Sequence, residues 1–198
     1  LFGVIALSAG VVAGGWAVAP FGLIRTMVIG AFMSPVSNLV FAWLAAQGHD
    51  LGALFIAIGV DNVASGFAGT ALIAYMSSLT SIGFTATQYA LFSSLYALPG
   101  KIIASQSGKI VEASARAADA GGPLSGLKGL FANVPPGTLV EGAVKSGVTP
   151  AGLGAGYITF FLYSTVIGVF AVLLAFYVAA RQPRVEAEYA AREQEPAP

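Results

Sequence analysis

The sequence has no cysteine, one histidine and few charged residues. The lack of cysteine excludes disulfides and thiolate metal sites, and His49 alone cannot form a cluster of metal ligands. Charged residues make up 9% of the chain, whereas soluble domains carry about 25%. The formal net charge is zero, so the chain also lacks the basic stripe typical of nucleic-acid binding. These absences argue against a soluble globular protein and against metal or nucleic-acid chemistry.

The sequence also lacks the residue sets of common catalytic sites. A serine hydrolase needs a base beside its nucleophile, and the single histidine lies in a polar turn between apolar segments. An intramembrane aspartyl protease needs two carboxylates, and the apolar segments contain only Asp61. The sequence contains neither an HExxH motif nor a P-loop. We therefore expect a protein that is not an enzyme and that uses no metal or cofactor.

Apolar residues take the place of the missing charges. They make up 57% of the chain and give it a mean hydropathy of +0.81. They form five segments, each able to supply the roughly 20 residues that cross a bilayer. The segments cover about 1–19, 24–46, 51–79, 86–104 (extending in more polar form to 113) and 151–180. The sequence therefore predicts an all-α membrane protein with five transmembrane helices.

Two stretches lie outside the predicted spans. Residues 114–150 are rich in glycine, proline and small residues, and they are too long for a simple turn. The leucines and phenylalanine of 124–131 favour a short interfacial helix, whereas Pro135 and the repeated glycines argue against a compact domain. The tail, residues 181–198, is charged and has the composition of a disordered segment.

The basic residues indicate an orientation in the membrane. If the five helices alternate in direction, Arg25 in the first turn lies on the same side as the arginines of the tail. The positive-inside rule assigns that side to the cytoplasm. Residues 114–150 carry basic residues on the opposite side, but long loops count less in this rule. We therefore expect a cytoplasmic tail.

The third segment contains the most informative residue, because Asp61 is its only charge. A carboxylate at the bilayer centre costs roughly 2.5–3.5 kcal/mol on insertion scales, so it usually has a partner or a task. Small and polar residues recur around it at helical spacing: Asn62, Ser65, Gly66 and Gly69. Small residues let a second helix approach closely, so this face either packs against a neighbour or lines a cavity. Asp61 then binds a proton or a polar substrate; alternatively, it is a neutral, hydrogen-bonded structural residue.

Polar residues also interrupt the second and fourth segments. Pro35 removes a backbone hydrogen bond near the middle of the second segment and predicts a kink. Asn38, three residues later, could face a water-filled cavity or be an ordinary hydrogen-bonded residue. In the fourth segment, Lys101 follows Pro99 and lies on a stripe of small polar residues. It could attract an anionic substrate, pair with Asp61 or extend to the membrane interface.

Two further patterns have structural explanations. Thr85 and Gln88 match the capping box, in which two side chains satisfy each other's backbone donors at a helix N-terminus. Gly10 and Gly14 form a GxxxG pair in the first segment, which is typical of closely packed membrane helices. We expect both pairs to stabilise the fold rather than to bind a ligand.

Four strings carry a family resemblance: GGWAVAPFGLIRTMVIG (14–30), SNLVFAWLA (37–45), DNVASGFAGTALIAYMSSL (61–79) and FTATQYALFSSLYALPGK (84–101). The first resembles the loop between the second and third helices of a half of a major facilitator transporter, whose Gly-x-x-Arg element is kept at Gly22 and Arg25. The others look like successive helices of the muropeptide permease (AmpG) family. That family usually has Glu-Asn where Asp61-Asn62 stands, and often arginine at Lys101, so both charges are kept.

The resemblance covers about residues 1–112 and returns at the last segment, so residues 114–150 look like an insertion. It implies that the five helices are the eighth to twelfth of a twelve-helix major facilitator fold, and that the chain is a second-half fragment. It also implies a multi-pass protein of the bacterial inner membrane. In this topology residues 114–150 are a periplasmic loop and residues 181–198 a cytoplasmic tail.

The function implied by the resemblance is proton-driven import of anhydro-muropeptides during cell-wall recycling. The partners are then this small-molecule substrate, protons, the lipid bilayer and the missing N-terminal half of the transporter. The candidate substrate and proton site consists of Asp61, Asn62, Lys101, Asn38 and Ser65. The candidate structural residues are Pro35, Gly66, Gly69, Thr85, Gln88, Pro99, Gly22 and Arg25.

Two other functions stay open on the sequence. One is a related facilitator that carries another solute, such as a sugar, a peptide or an acyl-CoA. The other belongs to a different class: a membrane scaffold that transports nothing and uses its small-residue faces to assemble a complex.

Overall fold

The computed structural model describes residues 1–48, 50–79, 85–131, 135 and 137–193. Within these ranges the chain forms seven α-helices and one 3-10 helix. The α-helices are α1 (Phe2–Phe21), α2 (Leu23–Gln47), α3 (Leu51–Ser78), α4 (Thr85–Ser105), α5 (Ser107–Asp119), α6 (Val140–Ser146) and α7 (Pro150–Glu193). The 3-10 helix (Pro123–Phe131) lies between α5 and α6. His49 and the polar stretch 80–84 lie outside the described residues.

Four of the described helices are long and apolar enough to cross a membrane: α1, α2, α3 and the part of α7 from Pro150 to Gln182. Large apolar side chains such as Trp16, Phe32 and Phe170 lie exposed on their outer faces. The predicted all-α membrane fold is therefore confirmed. The predicted fourth span corresponds to α4, which has 21 residues but is not among these four helices. A fifth span stays a prediction.

Glycines hold α1 close to α3. A Cβ atom at Gly10 would clash with the Val63 carbonyl, and one at Gly66 would clash with the Leu7 carbonyl. A Cβ atom at Gly14 would lie 2.8 Å from the Phe67 carbonyl oxygen, again a forbidden distance. Small residues thus bring the two backbones into contact, as the GxxxG pair in α1 indicates.

The connection between α1 and α2 is a single residue, Gly22. Its φ of 77° lies in a region that L side chains rarely adopt, which explains why a glycine stands here. The buried Thr26 donates a hydrogen bond from its hydroxyl to the Gly22 carbonyl over 2.8 Å. The sequence predicted a short turn formed by Pro20, Phe21, Gly22 and Arg25; in the structure Pro20 lies within α1, and Arg25 lies exposed in the first turn of α2.

Helix α2 also packs against α7, and Pro35 lies in that contact. A Cβ atom at Gly168 would lie 3.0 Å from the Cβ atom of the buried Pro35, so the glycine makes room for the proline ring. Further along, Phe41 stacks on Phe161 with 5.2 Å between the ring centroids. The Thr165 hydroxyl lies 3.5 Å from the Pro35 carbonyl oxygen and 2.9 Å from that of Phe161.

The described residues between 107 and 160 form a packed unit, although the sequence of 114–150 argued against a compact domain. Val111 of α5, Ala143 of α6 and Leu153 of α7 share a buried cluster. The predicted short helix is present as the 3-10 helix, and the predicted polar extension to residue 113 belongs to the separate helix α5. This packing joins residues far apart in sequence, which local composition does not reveal.

The prediction of a disordered tail from residue 181 is wrong for its first part, because α7 continues to Glu193. Alanine, glutamate and arginine dominate this stretch, and all three are strong helix formers. Charge alone therefore did not indicate disorder here.

Candidate functional site

Asp61 lies near the middle of α3 and points toward α2. Its carboxylate is half-buried, and its Oδ1 atom accepts a hydrogen bond from the Ser37 hydroxyl over 3.1 Å. The Ser37 Oγ atom also lies 2.9 Å from the Ser34 carbonyl oxygen of its own helix. Ser37 is buried, with 4% of its surface exposed. The intramembrane carboxylate thus has a hydroxyl partner on the neighbouring helix.

A cavity of about 190 Å³ lies beside this hydrogen bond. It is lined by Ser34, Ser37 and Asn38 of α2, by Asp61, Ala64, Ser65, Ala68 and Gly69 of α3, and by Tyr96 of α4. Most of the lining side chains carry a polar group, whereas a larger cavity elsewhere on α3 is lined by apolar residues such as Phe2 and Phe55. The Asp61 cavity is therefore suited to a polar ligand.

Helix periodicity explains how α3 forms its part of the cavity. Residues three, four, seven and eight positions after Asp61 lie on the same helix face. These positions hold only alanine, serine and glycine, so the face below the carboxylate leaves open space. A Cβ atom at Gly69 would meet nothing within 4 Å, which places this glycine at the open cavity and not in a close helix contact.

The structure brings together three of the five predicted site residues: Asp61, Asn38 and Ser65 all line the cavity. Asn62 does not, although it is adjacent to Asp61, because neighbouring residues on an α-helix point about 100° apart. Its Nδ2 atom donates to the Ile58 carbonyl over 2.8 Å and faces Gly3 of α1. The predicted Asp61–Asn62 pair is thus divided between two helix interfaces.

Lys101 lies exposed on α4, in a shallow depression that it shares with Ser93, Ser94, Ala97 and Leu98. The ion pairs formed by the described residues lie within residues 112–145, and neither Lys101 nor Asp61 takes part in them. The predicted pairing of Lys101 with Asp61 is therefore not formed. Lys101 remains a separate cation on the same helix as Tyr96.

The remaining predicted structural residues lie at helix ends or contacts. Thr85 and Gln88 lie in the first turn of α4, and Gln88 is half-buried. The side chains of Thr85 and Pro99 lie outside the described part of the chain, so the capping box stays a prediction. Gly66 and Pro35 lie in the helix contacts described above.

Sequence reasoning missed three residues of the site: Ser34, Ser37 and Tyr96. The two serines flank Pro35 on α2, and two polar residues so close to a buried proline could have indicated a polar face. No comparable pattern marks Tyr96, because its place at the cavity depends on how α4 lies against the other helices.

The chain is similar to curated bacterial proteins with the name "Putative transporter AmpG". Number 3 of Rickettsia prowazekii is 36% identical over 107 residues, which are 54% of this chain and 25% of that protein. Number 4 of Rickettsia felis is 34% identical over 111 residues, 56% of this chain and 27% of that protein. Number 1 of Rickettsia bellii is 31% identical over 110 residues, which are 56% of this chain and 27% of that protein. These relatives confirm the resemblance to the AmpG family.

The matched stretch spans only about a quarter of the length of these curated relatives. No protein-family model matches the chain. No solved structure matches it either.

Proposed function

We propose that the chain is the C-terminal part of a secondary transporter of the bacterial inner membrane, which imports anhydro-muropeptides together with protons. The main observation behind this proposal is the position of Asp61. Its half-buried carboxylate lines a polar cavity, and its helix is long and apolar enough to cross a membrane. Intramembrane carboxylates mark ion and substrate pathways in membrane proteins. The relatives are named transporters, which supports a transporter and not an enzyme.

The size of the cavity supports a site that other parts of the protein complete. Small-molecule sites usually measure roughly 300–1,000 Å³, whereas the Asp61 cavity measures about 190 Å³. About three quarters of each relative lies outside the matched stretch. We therefore propose that helices of the remaining protein form the opposite wall, and that the two walls move against each other around a site near the membrane midplane.

Asp61 suits the role of proton site because its surroundings accommodate both charge states. An ionised carboxylate accepts the Ser37 hydroxyl proton, whereas a protonated acid donates its own proton to the Ser37 oxygen. The described residues that line the cavity include no lysine or arginine that would hold Asp61 permanently ionised. A carboxylate with this environment can gain and release a proton during transport.

The polar groups also suit the proposed substrate class. Anhydro-muropeptides carry sugar hydroxyls and carboxylates. The Asn38 amide and the hydroxyls of Ser34, Ser65 and Tyr96 provide donors and acceptors for sugar hydroxyls. Lys101, exposed on the α4 surface, provides a cation for a carboxylate. Hydroxyl recognition and carboxylate recognition are thus divided between the cavity and α4.

One observation argues against the scaffold alternative. Gly10, Gly14 and Gly66 are already used in the contact between α1 and α3. A scaffold that assembles a complex through small-residue faces needs those faces to be free for a partner. The other alternative is uptake of a different solute, such as a sugar, a peptide or an acyl-CoA. Competition in the transport assay distinguishes these solutes from anhydro-muropeptide.

The proposal is tested in the full-length protein by uptake of labelled anhydro-muropeptide into vesicles with an imposed pH gradient. We expect gradient-dependent accumulation, no competition by simple sugars, peptides or acyl-CoA, and loss of the gradient dependence in Asp61→Asn. Asp50→Asn is the matched control, because Asp50 is a carboxylate that only caps α3, through a 3.0 Å bond from the Ala53 amide. Unchanged pH dependence in a correctly inserted Asp61→Asn variant contradicts the proposal.

A further inference from the structure

We infer that Ser37 is a positioning residue that transmits the charge state of Asp61 to α2 at Pro35, and through Pro35 to α7. This inference rests on the proposed role of Asp61 as the proton site. It goes beyond that role because it names the residue that converts a change of charge on α3 into a change of shape on a second helix.

The Ser37 hydroxyl has two possible acceptors but only one proton to donate. Its oxygen lies 2.9 Å from the Ser34 carbonyl oxygen and 3.1 Å from Asp61 Oδ1, and both of these atoms are acceptors when Asp61 is ionised. A serine hydroxyl has a single proton to donate. Ser37 itself is buried, with 4% of its surface exposed, so its hydroxyl depends on these two protein acceptors. The ionised site therefore leaves one of the two acceptors without the Ser37 proton.

Protonation of Asp61 removes this competition. The protonated acid donates to the Ser37 oxygen, and the Ser37 hydroxyl then donates to the Ser34 carbonyl. Each of the two hydroxyl protons thus has its own acceptor. When Asp61 is ionised, the Ser37 hydroxyl turns to the carboxylate, because hydrogen bonds to charged groups are the stronger ones. The Ser37–Ser34 bond thus forms in one charge state and breaks in the other.

The broken or formed bond matters because it lies beside Pro35. A serine that donates back to a carbonyl of its own helix often bends that helix. The proline removes a further backbone hydrogen bond from the same turn and makes it easier to bend. The proton on Asp61 is therefore expected to change the bend of α2 between Ser34 and Ser37.

Helix α7 is placed to follow such a change. The buried Pro35 packs against Gly168 of α7, and the Thr165 hydroxyl lies 3.5 Å from the Pro35 carbonyl oxygen. The same hydroxyl has a second acceptor in its own helix, the Phe161 carbonyl at 2.9 Å. A change of bend at Pro35 shifts the surface on which α7 rests.

Asp61 is the source of the charge change at this place. Helix α1, packed against α3, has no ionisable side chain in its sequence. Helix α2 presents only neutral groups to the cavity, and its charged residue Arg25 lies at its far end. Helix α4 contributes the hydroxyl of Tyr96.

The test compares Ser37→Ala, Ser37→Cys and Ser37→Thr in the full-length protein reconstituted into proteoliposomes. Two rates are measured: substrate exchange without a pH gradient, and accumulation driven by the gradient. We expect Ala and Cys to lower accumulation by about 5-fold or more, the lower range of coupling between two sites, while exchange persists. Thr, which keeps the hydroxyl, restores accumulation. Ser78→Ala is the matched control, because Ser78 also donates to the carbonyl three residues earlier but lies at the end of α3.

A second readout follows the helices directly. The distance between one label on α2 and one on α7 is compared with the wild type. We expect it to change in Asp61→Asn, which mimics the neutral acid, and to stay unchanged in the double variant Asp61→Asn, Ser37→Cys. Wild-type accumulation in Ser37→Cys overturns the inference even if Ser37→Ala fails to fold. If Asp61→Asn abolishes coupling while Ser37→Cys keeps it, this inference fails and the proposed function stands. If Asp61→Asn keeps coupling, the proposed function itself fails.

Discussion

Ser37 on α2 and Asp61 on α3 are joined by a hydrogen bond of 3.1 Å between the serine hydroxyl and the carboxylate Oδ1 atom. The two residues are 24 positions apart in sequence, and their contact forms one end of the polar cavity. Because Ser37 also contacts the Ser34 carbonyl next to Pro35, the carboxylate is linked to a weak point of the neighbouring helix.

The first prediction concerns the glycine contact between α1 and α3. Gly66→Ala places a Cβ atom against the Leu7 carbonyl and is expected to lower the stability of the protein by roughly 1–3 kcal/mol. Gly69→Ala is the matched control on the same helix, because nothing lies within 4 Å of its added Cβ atom. Alanine has the better helix propensity at both positions, so only the contact distinguishes them. Thermal unfolding of the purified protein in detergent measures the difference; equal melting temperatures for the two variants contradict the described packing.

The second prediction concerns Asp119, at the end of α5. Its carboxylate accepts hydrogen bonds from Lys128 Nζ at 2.7 Å and from the Thr149 amide and hydroxyl at 2.7 and 2.6 Å. The bond from Lys128, followed by those from Thr149, lowers the pKa of Asp119 from 3.8 to about 2. Asp119→Asn is expected to destabilise this segment by about 2 kcal/mol at pH 7, since one pKa unit corresponds to ~1.4 kcal/mol. Glu141→Gln, which breaks a highly exposed pair with Lys145, is expected to change little.

The pH dependence of this effect has a defined sign. The pKa of Asp119 is lower in the folded protein, so its contribution is complete above the ordinary value of 3.8 and is lost as the pH falls toward 2. Hydrogen exchange at the start of α7, measured between pH 6 and pH 2 with correction for intrinsic rates, reports this contribution. The difference in exchange protection between the wild type and Asp119→Asn should disappear as the pH falls toward 2. A difference in protection that stays constant down to pH 2 would show that the ionised Asp119 carboxylate does not stabilise this segment.

The third prediction concerns the absence of an ion pair between Lys101 and Asp61. Residues more than about 7–10 Å apart that share no partner have nearly additive effects, usually within about 0.3–0.5 kcal/mol. We expect Lys101→Ala to raise the KM for a carboxylate-bearing substrate and Lys101→Arg to keep it low. The effects of Lys101→Ala and Asp61→Asn on substrate affinity should add in the double variant. A large coupling energy would show that the two residues meet in the working protein.

The fourth prediction concerns the topology. If α4 crosses the membrane as a fifth span, residues 114–150 lie on the periplasmic side and the first turn on the cytoplasmic side. This chain has no cysteine, so it adds no background to labelling of single cysteines. In intact cells, an impermeant thiol reagent should label Lys145→Cys, whose side chain is 73% exposed, and should not label Arg25→Cys. Labelling of both positions from outside the cell contradicts five spans.

Much of the fold could be predicted because long apolar segments leave a bilayer-spanning protein few alternatives to helices. The described long helices begin and end within two residues of the predicted segments, except for the C-terminal end of α7. The packed unit formed by α5, α6 and the start of α7 could not be predicted. It depends on contacts such as Asp119 with Thr149, 30 residues apart, and composition contains no information about such pairs.

The site could be predicted only in part. Asp61 and Ser65 follow from the polar face of one helix, since helical spacing determines which residues share a face. Which face meets which neighbour is decided by tertiary packing, so the sequence did not reveal that the Asn62 amide donates to the Ile58 carbonyl and lies away from the Asp61 cavity. Ser37 was missed although it lies beside Pro35 and Asn38 in sequence. Tyr96 was missed because its place at the cavity depends on how α4 lies against the other helices.

We propose that Asp61 carries the transported proton. The most direct test records the external pH of proteoliposomes, with the full-length protein inserted, while anhydro-muropeptide is added. We expect alkalinisation with substrate entry in the wild type and in Asp50→Asn. In Asp61→Asn we expect substrate exchange without any proton movement. Proton movement of wild-type size in Asp61→Asn would show that another group carries the proton.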